Sequence, residues 1–488
     1  MRLFARGGTF TSSEGSMSDQ FYINGAWVAP LGPGRLAVED PATEETIGQI
    51  ALGSIEDADA AVAAARAAFP AWSARPVAER IAVVERMLEV YNTRSEDMAQ
   101  AMRAEMGAPI TWAQEAQVWA GQVHFEATIA SAKAMHWEEM RGSTRIIHEG
   151  IGVCTLITPW NWPMNQIVCK VAPALIAGCT VVLKPSEIAP LSAIVFAQIC
   201  HAAGVPAGVF NMVQGLGPEV GAHLAAHAQV DMVSFTGSTR AGTAVAALAA
   251  PTVKRVAQEL GGKSANLILP SADLAAAVRA GVQGCFGNTG QSCDAPTRMF
   301  VPRALLAQAE AVAAKVADEV ILGDTRDAAT TMGPLVSGLQ FNKVQALIAK
   351  GIAEGARLVC GGLGRPEGVN RGWFARPTVF SDVTHGMTIA REEIFGPVLS
   401  ILAYDSVGDA ITMANDSIYG LAAYVSGAPD EARTVARQLR AGQVSINSPD
   451  WDVYAPFGGY KQSGNGREYA DWGIRDFCEI KAIVGWGA

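Results

Sequence analysis

The chain has 488 residues, 50% of them hydrophobic and 17% charged, a balance that excludes a disordered polyampholyte. At about 100–200 residues per domain this length predicts two to four globular domains. Lys and Arg number 37 against 47 Asp and Glu, and the resulting net charge of −10 disfavours nucleic acid and anionic membrane as partners. The eight cysteines show no CxxC or zinc-type spacing, no apolar run is long enough to span a bilayer, and the N-terminus lacks the apolar core of a secretory signal. A cytoplasmic protein with reduced thiols and no membrane association is the expectation.

In chain order, residues 1–16 read as a loose tail, with Met17 as an alternative start. FYINGAWV reads as a hairpin around Asn24-Gly25. Residues 56–70 and 77–104 carry Ala-rich helical periodicity with acidic first turns. After His148 the pattern changes to short β-branched runs (IGVCTLIT, CTVVLKP, VFNMVQG, VDMVSFTG) alternating with helical stretches, as in a doubly wound parallel sheet. A second series starts near Lys263 with SANLILP, a helix from Asp273 to Cys285, TRMFVP, a helix over 303–320, and strands near 357–360, 397–404, 421–425 and 443–446. Two α/β domains in succession follow. Residues 131–150 and the last dozen fit neither series and read as strands whose edges need a partner.

Polar residues cluster in glycine- and proline-rich turns after these strands, where α/β folds bind ligands. Thr158-Pro159-Trp160-Asn161-Trp162-Pro163 follows the first buried strand, and Lys184 with Glu187 follows the second. Phe235-Thr236-Gly237-Ser238 precedes a helix and so offers backbone N–H groups to a phosphate, although the spacing is not GxGxxG. Glu259 precedes two glycines, Cys293 follows Gly287 and Gly290, and Glu393 and Phe395 share a turn with Gly396-Pro397. Taken singly, a turn-capping Asn, an exposed ion pair, a solvated carboxylate and an inert cysteine explain each of them. Other routes fail on inspection. GGKS lacks the first P-loop glycine, since Ala257 stands there; His223 and His227 lack the Glu of HExxH and read as a helix surface rather than a metal site; and there is no GxSxG elbow.

Together and in this order, TPWNWP, KPSE, SFTGS, ELGGK, GQSC, EEIFGP and PFGGYKQSG resemble the aldehyde dehydrogenase superfamily, spanning Thr158 to Gly464. The run from Asn161 to Glu187 and the ending PFGGYKQSGNGRE are most similar to bacterial NAD-dependent members of the succinoylsemialdehyde-pyridine dehydrogenase type. The resemblance implies a Rossmann-type NAD-binding domain (17–130 and 151–262), an α/β catalytic domain (263–465), and a β oligomerisation arm with the C-terminal segment (131–150 and 466–488). It implies Cys293 as nucleophile, Asn161 with the Cys293 N–H as oxyanion donors, Glu259 as general base, and Lys170 with Glu468 as a proton relay.

For NAD it implies Thr158, Trp160, Lys184, Glu187, Gly237, Ser238, Glu393 and Phe395, with Glu187 repelling the 2′-phosphate of NADP. Trp162, Asp294, Trp451, Tyr454 and Phe457 are expected to line the aldehyde tunnel, and Asp294, Asp450 and Asp452 to disfavour a substrate carboxylate. A neutral or cationic aromatic or medium-chain aldehyde, in a homodimer or homotetramer, is the resulting expectation. The alternatives are a CoA-acylating member, in which the base at the Glu259 position is usually absent, and a catalytically silent relative, which would carry damaged motifs.

Overall fold

A computed structural model describes residues 17–487, so the expected tail over 1–16 lies outside the described residues. Two α/β bodies follow one another. In the first, five parallel strands stand in the order Arg255–Glu259, Met232–Thr236, Val153–Ile157, Thr180–Lys184 and Phe210–Met212. Val153–Ile157, Thr180–Lys184 and Met232–Thr236 are buried throughout, which is why they read as unbroken apolar runs rather than alternating ones. The hairpin forms as expected: Phe21–Ile23 and Ala26–Val28 pair antiparallel, with Asn24 and Gly25 both at positive φ, and it extends the sheet beyond Phe210–Met212.

Chain order runs outward from Val153–Ile157 in one direction, then returns to its other side with Met232–Thr236. The sheet therefore has a switch point beside Val153–Ile157, and the turns after Ile157, Lys184, Thr236 and Glu259 all emerge at the carboxyl edge.

The second body has seven strands in the order Arg357–Cys360, Thr378–Ser381, Val398–Tyr404, Arg298–Pro302, Ala265–Ile268, Ala422–Ser426 and Gln443–Ile446, parallel except for the first. Helix Leu274–Phe286 is capped by the Asp273 side chain, which accepts the Ala276 N–H. Thr378–Ser381 and the helix Gly338–Ala353, capped by Ser337, are elements that strand and helix patterning left unread.

Two differences from expectation concern boundaries. Residues up to Ala134 belong to the helix Trp119–Ala134, so the separate three-stranded sheet begins only at Glu138. It consists of Glu138–Arg141, Thr144–Gly150 and Cys478–Ile483. Gly464–Asn465, expected at the end of the second body, pairs antiparallel with Gln258 and Glu259 and closes the first sheet. No helix among the described residues is long and apolar enough to cross a membrane.

Candidate active site

Cys293 stands in a loop that an ordinary chain would avoid. Asn288, Thr289 and Gly290 occupy the left-handed region in succession, at φ 53, 58 and 70. A Cβ on Gly290 would lie 2.2 Å from the Gly396 carbonyl carbon, so glycine is required for this loop to rest on the turn that carries Glu393 and Phe395. Gly262 plays the matching part beside the carboxylate turn, since a Cβ there would lie 2.3 Å from the Cys293 carbonyl oxygen.

Side chains lock the loop to the Asn161 turn. Asn288 Nδ2 donates to the Asn161 carbonyl at 2.8 Å, Gln117 Nε2 donates to the same oxygen at 3.0 Å, and Trp162 Nε1 donates to Ser292 Oγ at 2.9 Å. Asn161 Nδ2 donates one hydrogen to the Gln291 carbonyl at 3.0 Å, leaving its second for another acceptor. Gln117 and Asn288 belong to none of the family motifs, and only their burial with hydrogen-bonding partners marks them, whereas Gln291 stands in GQSC.

The Cys293 thiol lies 3.6 Å from Glu259 Oε2, while Glu259 Oε1 is buried without a partner. Burial, and then the nearby Glu468, push the Glu259 carboxyl well above its ordinary range, with Lys170 opposing. Behind it, Lys170 and Glu468 form a buried ion pair, and Cys169 Sγ approaches the other Glu468 oxygen at 3.6 Å. Burial by itself would lower the Lys170 ammonium, but Glu468 outweighs it and the net direction is upward. Removing one partner of such a pair typically costs about 3–5 kcal/mol. Tyr469 and Ala470 follow at φ 78 and 48, a strained step that places Glu468 on Lys170 and the Tyr469 ring on the neighbouring cavity.

Two cavities meet at Cys293. One, of ≈ 650 Å³, is lined by Trp160, Asn161, Gly237, Ser238, Glu393 and Phe395 among others, and also by Gln340 and Lys343, which the sequence reading missed. Glu393 accepts the Gly262 N–H at 2.9 Å, and the Trp160 and Phe395 rings meet edge to face at 5.5 Å. Thr236 Oγ1 is buried without a partner in this lining, and Ser238 caps the helix Thr239–Ala249. Thr158, Lys184 and Glu187 lie outside the lining. The Thr158 N–H donates to the Lys184 carbonyl at 3.2 Å, and Lys184 Nζ donates to Glu187 at 2.6 Å. Burial would raise the Glu187 carboxyl, but Lys184 holds it below its ordinary range.

The other cavity, of ≈ 820 Å³, is lined by Trp119, Trp162, Asp294, Trp451, Phe457 and Tyr469 among others. Phe457 and Tyr469 stack at 5.0 Å, and His124, buried with both ring nitrogens unpartnered, lies 4.3 Å from Tyr469 and 5.3 Å from Trp451. Tyr454, expected in the tunnel wall, is 54% exposed and outside this lining, as are Asp450 and Asp452.

The aldehyde dehydrogenase family model matches residues 27–483. The chain belongs to the aldehyde dehydrogenase family. It is therefore an oxidoreductase, and its motifs at Asn161, Glu259 and Cys293 converge on one thiol. Over 469 residues it is 54% identical to the 3-succinoylsemialdehyde-pyridine dehydrogenase of a Pseudomonas species, covering 96% of this chain and 98% of that protein. A crystal structure of a mutant of aldehyde dehydrogenase C from Pseudomonas syringae, in complex with NAD+ and octanal, superposes with a TM-score of 0.96 at 54% identity, covering 96% of this chain and 97% of that one. The Mycobacterium tuberculosis aldehyde dehydrogenase in complex with NAD+ gives 0.93 at 41% identity, covering 96% and 98%.

His223 and His227 meet an unforeseen third group in this aldehyde dehydrogenase: Asp59 Oδ1 lies 2.6 and 3.3 Å from their Nε2 atoms. The Gln229 N–H donates to His227 Nδ1 at 3.1 Å, which keeps the proton of a neutral ring on Nε2, toward Asp59. That tautomer makes a hydrogen bond to the carboxylate and offers no lone pair to a metal.

Proposed function

We propose that this enzyme oxidises an uncharged aldehyde to its carboxylic acid with NAD, through a covalent intermediate on Cys293. The observation that carries the reading is the meeting of two cavities, one bordered by Thr236, Ser238, Gln340 and Glu393 and the other walled by aromatic rings, at a thiol 3.6 Å from a buried carboxylate. The first cavity fits a dinucleotide. Thr236 Oγ1 needs a partner there, Glu393 offers a carboxylate to ribose hydroxyls, and Gly237 and Ser238 lead into a helix N-terminus suited to phosphate. When bound, NAD supplies the acceptor for the hydride leaving the substrate carbon.

Glu259 takes the Cys293 proton, and the sulfur then bonds to the aldehyde carbon, moving the carbonyl π pair onto oxygen. The free Asn161 N–H and the Cys293 N–H, which has no acceptor among the described residues, stabilise that oxyanion. Loss of hydride leaves a thioester. Once Lys170 with Glu468 has carried the thiol's proton outward, Glu259 Oε1, buried and unpartnered, removes a proton from the water that attacks the thioester, and the Cys293 thiolate leaves as the acid is released.

The retained Glu259 supports hydrolysis over transfer to CoA. The aromatic wall matches an alkyl or aryl chain, in line with the octanal complex of the Pseudomonas syringae relative and with the similarity to the 3-succinoylsemialdehyde-pyridine dehydrogenase. The eight free cysteines agree with a reducing cytoplasm. Product analysis tests this reading: octanal and NAD should give octanoate and NADH in equal amounts, with or without CoA. An acyl-CoA product, with little acid formed in its absence, would overturn it.

A further inference from the structure

Asp294 is the single charged side chain in the lining of the ≈ 820 Å³ cavity. It follows the nucleophile directly, so its carboxylate borders the first carbons of any chain whose carbonyl reaches Cys293. Among the described residues no Lys, Arg or His pairs with it; its own backbone N–H supports the carboxylate, and its backbone carbonyl accepts from Tyr424 Oη at 3.1 Å. The other wall of the reacting centre is Glu259, and the cation behind that, Lys170, is already taken by Glu468. On the aldehyde side the reacting carbon therefore faces two carboxylates and, among the described residues lining that cavity, no cation; Lys343 and Glu393 belong to the other cavity.

This arrangement bears on a reaction whose substrate is neutral and whose product is an anion. An uncharged aldehyde enters the cavity without Coulombic cost. The carboxylate released from the thioester arises a few ångströms from Asp294 in a wall otherwise made of Trp, Phe, Tyr, Ala and amide side chains. Two like charges at that separation, in a partly buried site, disfavour occupancy by about 10- to 100-fold.

We propose that Asp294 makes the aldehyde cavity selective against anions, so that it favours the uncharged substrate over the acid it becomes and rejects short aldehydes that already carry a carboxylate. The proposal rests on the aldehyde-oxidising reading above and assigns Asp294 a role in specificity and product release rather than in bond making.

Calorimetric titration of the NAD-saturated full chain tests it without turnover, with octanoate and its neutral counterpart octanamide as probes. In the wild type, octanoate should bind about 10- to 100-fold more weakly than octanamide. Asp294→Asn should bring that ratio close to one, chiefly by tightening octanoate, and Asp294→Glu should restore it. Retained NAD binding by each variant shows that it has folded. Equal ratios in the wild type and Asp294→Asn, or octanoate bound as tightly as octanamide by the wild type, would overturn the proposal. Octanamide failing to bind any of the three would overturn it together with the cavity assignment. Octanal turnover is scored separately, so an inactive wild type that still discriminates between the two probes would count against the functional reading alone.

Discussion

Cys293 sits where a thiolate is disfavoured. Burial, Glu259, Asp294 and Glu393 all push its thiol upward, which in the proposed mechanism keeps the sulfur protonated until Glu259 receives the proton. Asn161, Glu259 and Cys293 could be singled out in the sequence because each stands at a strand end or glycine turn, and the roles proposed for them came from the family resemblance. Gln117 and Asn288 could not, since amides that hold one loop to another follow no spacing rule. Glu187 carries the prediction at this scale. With Lys184 fixing its carboxylate at 2.6 Å, a 2′-phosphate near this pair meets a like charge, so kcat/KM should favour NAD over NADP. Glu187→Gln should narrow that preference by about tenfold. Equal use of both cofactors by the wild type would contradict the assignment.

At the scale of elements, the buried parallel strands were readable because burial on both faces leaves short β-branched runs bounded by turns. The helix Gly338–Ala353 and the strand Thr378–Ser381 were not, since the chain between them is glycine-rich and irregular. The three-stranded sheet stands apart from both larger sheets, with Met140, Ile480, Val484 and Trp486 51%, 68%, 81% and 53% exposed. An edge strand with such side chains invites a second copy of the chain. Light scattering at micromolar concentration should show a dimer or tetramer, and Ile480→Lys should shift it toward monomer. A monomeric wild type would contradict an arm that joins subunits.

Over the whole molecule, a length that first predicted two to four domains resolves into two α/β bodies and a small separate sheet. The bodies meet so that turns from both reach one sulfur: Asn161 and Glu259 from the first, Cys293 and Glu393 from the second. Glycine, 50 residues in the chain, matters most at that junction, where Gly262 and Gly290 let backbones from different turns touch. Composition could not reveal this, because only the folded chain brings residues 161, 259, 293 and 393 together.

The most direct measurement of the central claim is the intact mass of the wild-type chain, acid-quenched within the first turnover of octanal and NAD. If Cys293 forms a thioester that Glu259 helps water to cleave, part of the chain should carry one octanoyl group, which disappears once the aldehyde is consumed. Neither Cys293→Ala nor Glu259→Gln, whose thiol keeps its proton, should acquire it. NADH formed by the wild type with no acyl adduct, or an adduct of equal size on Cys293→Ala, would contradict the account.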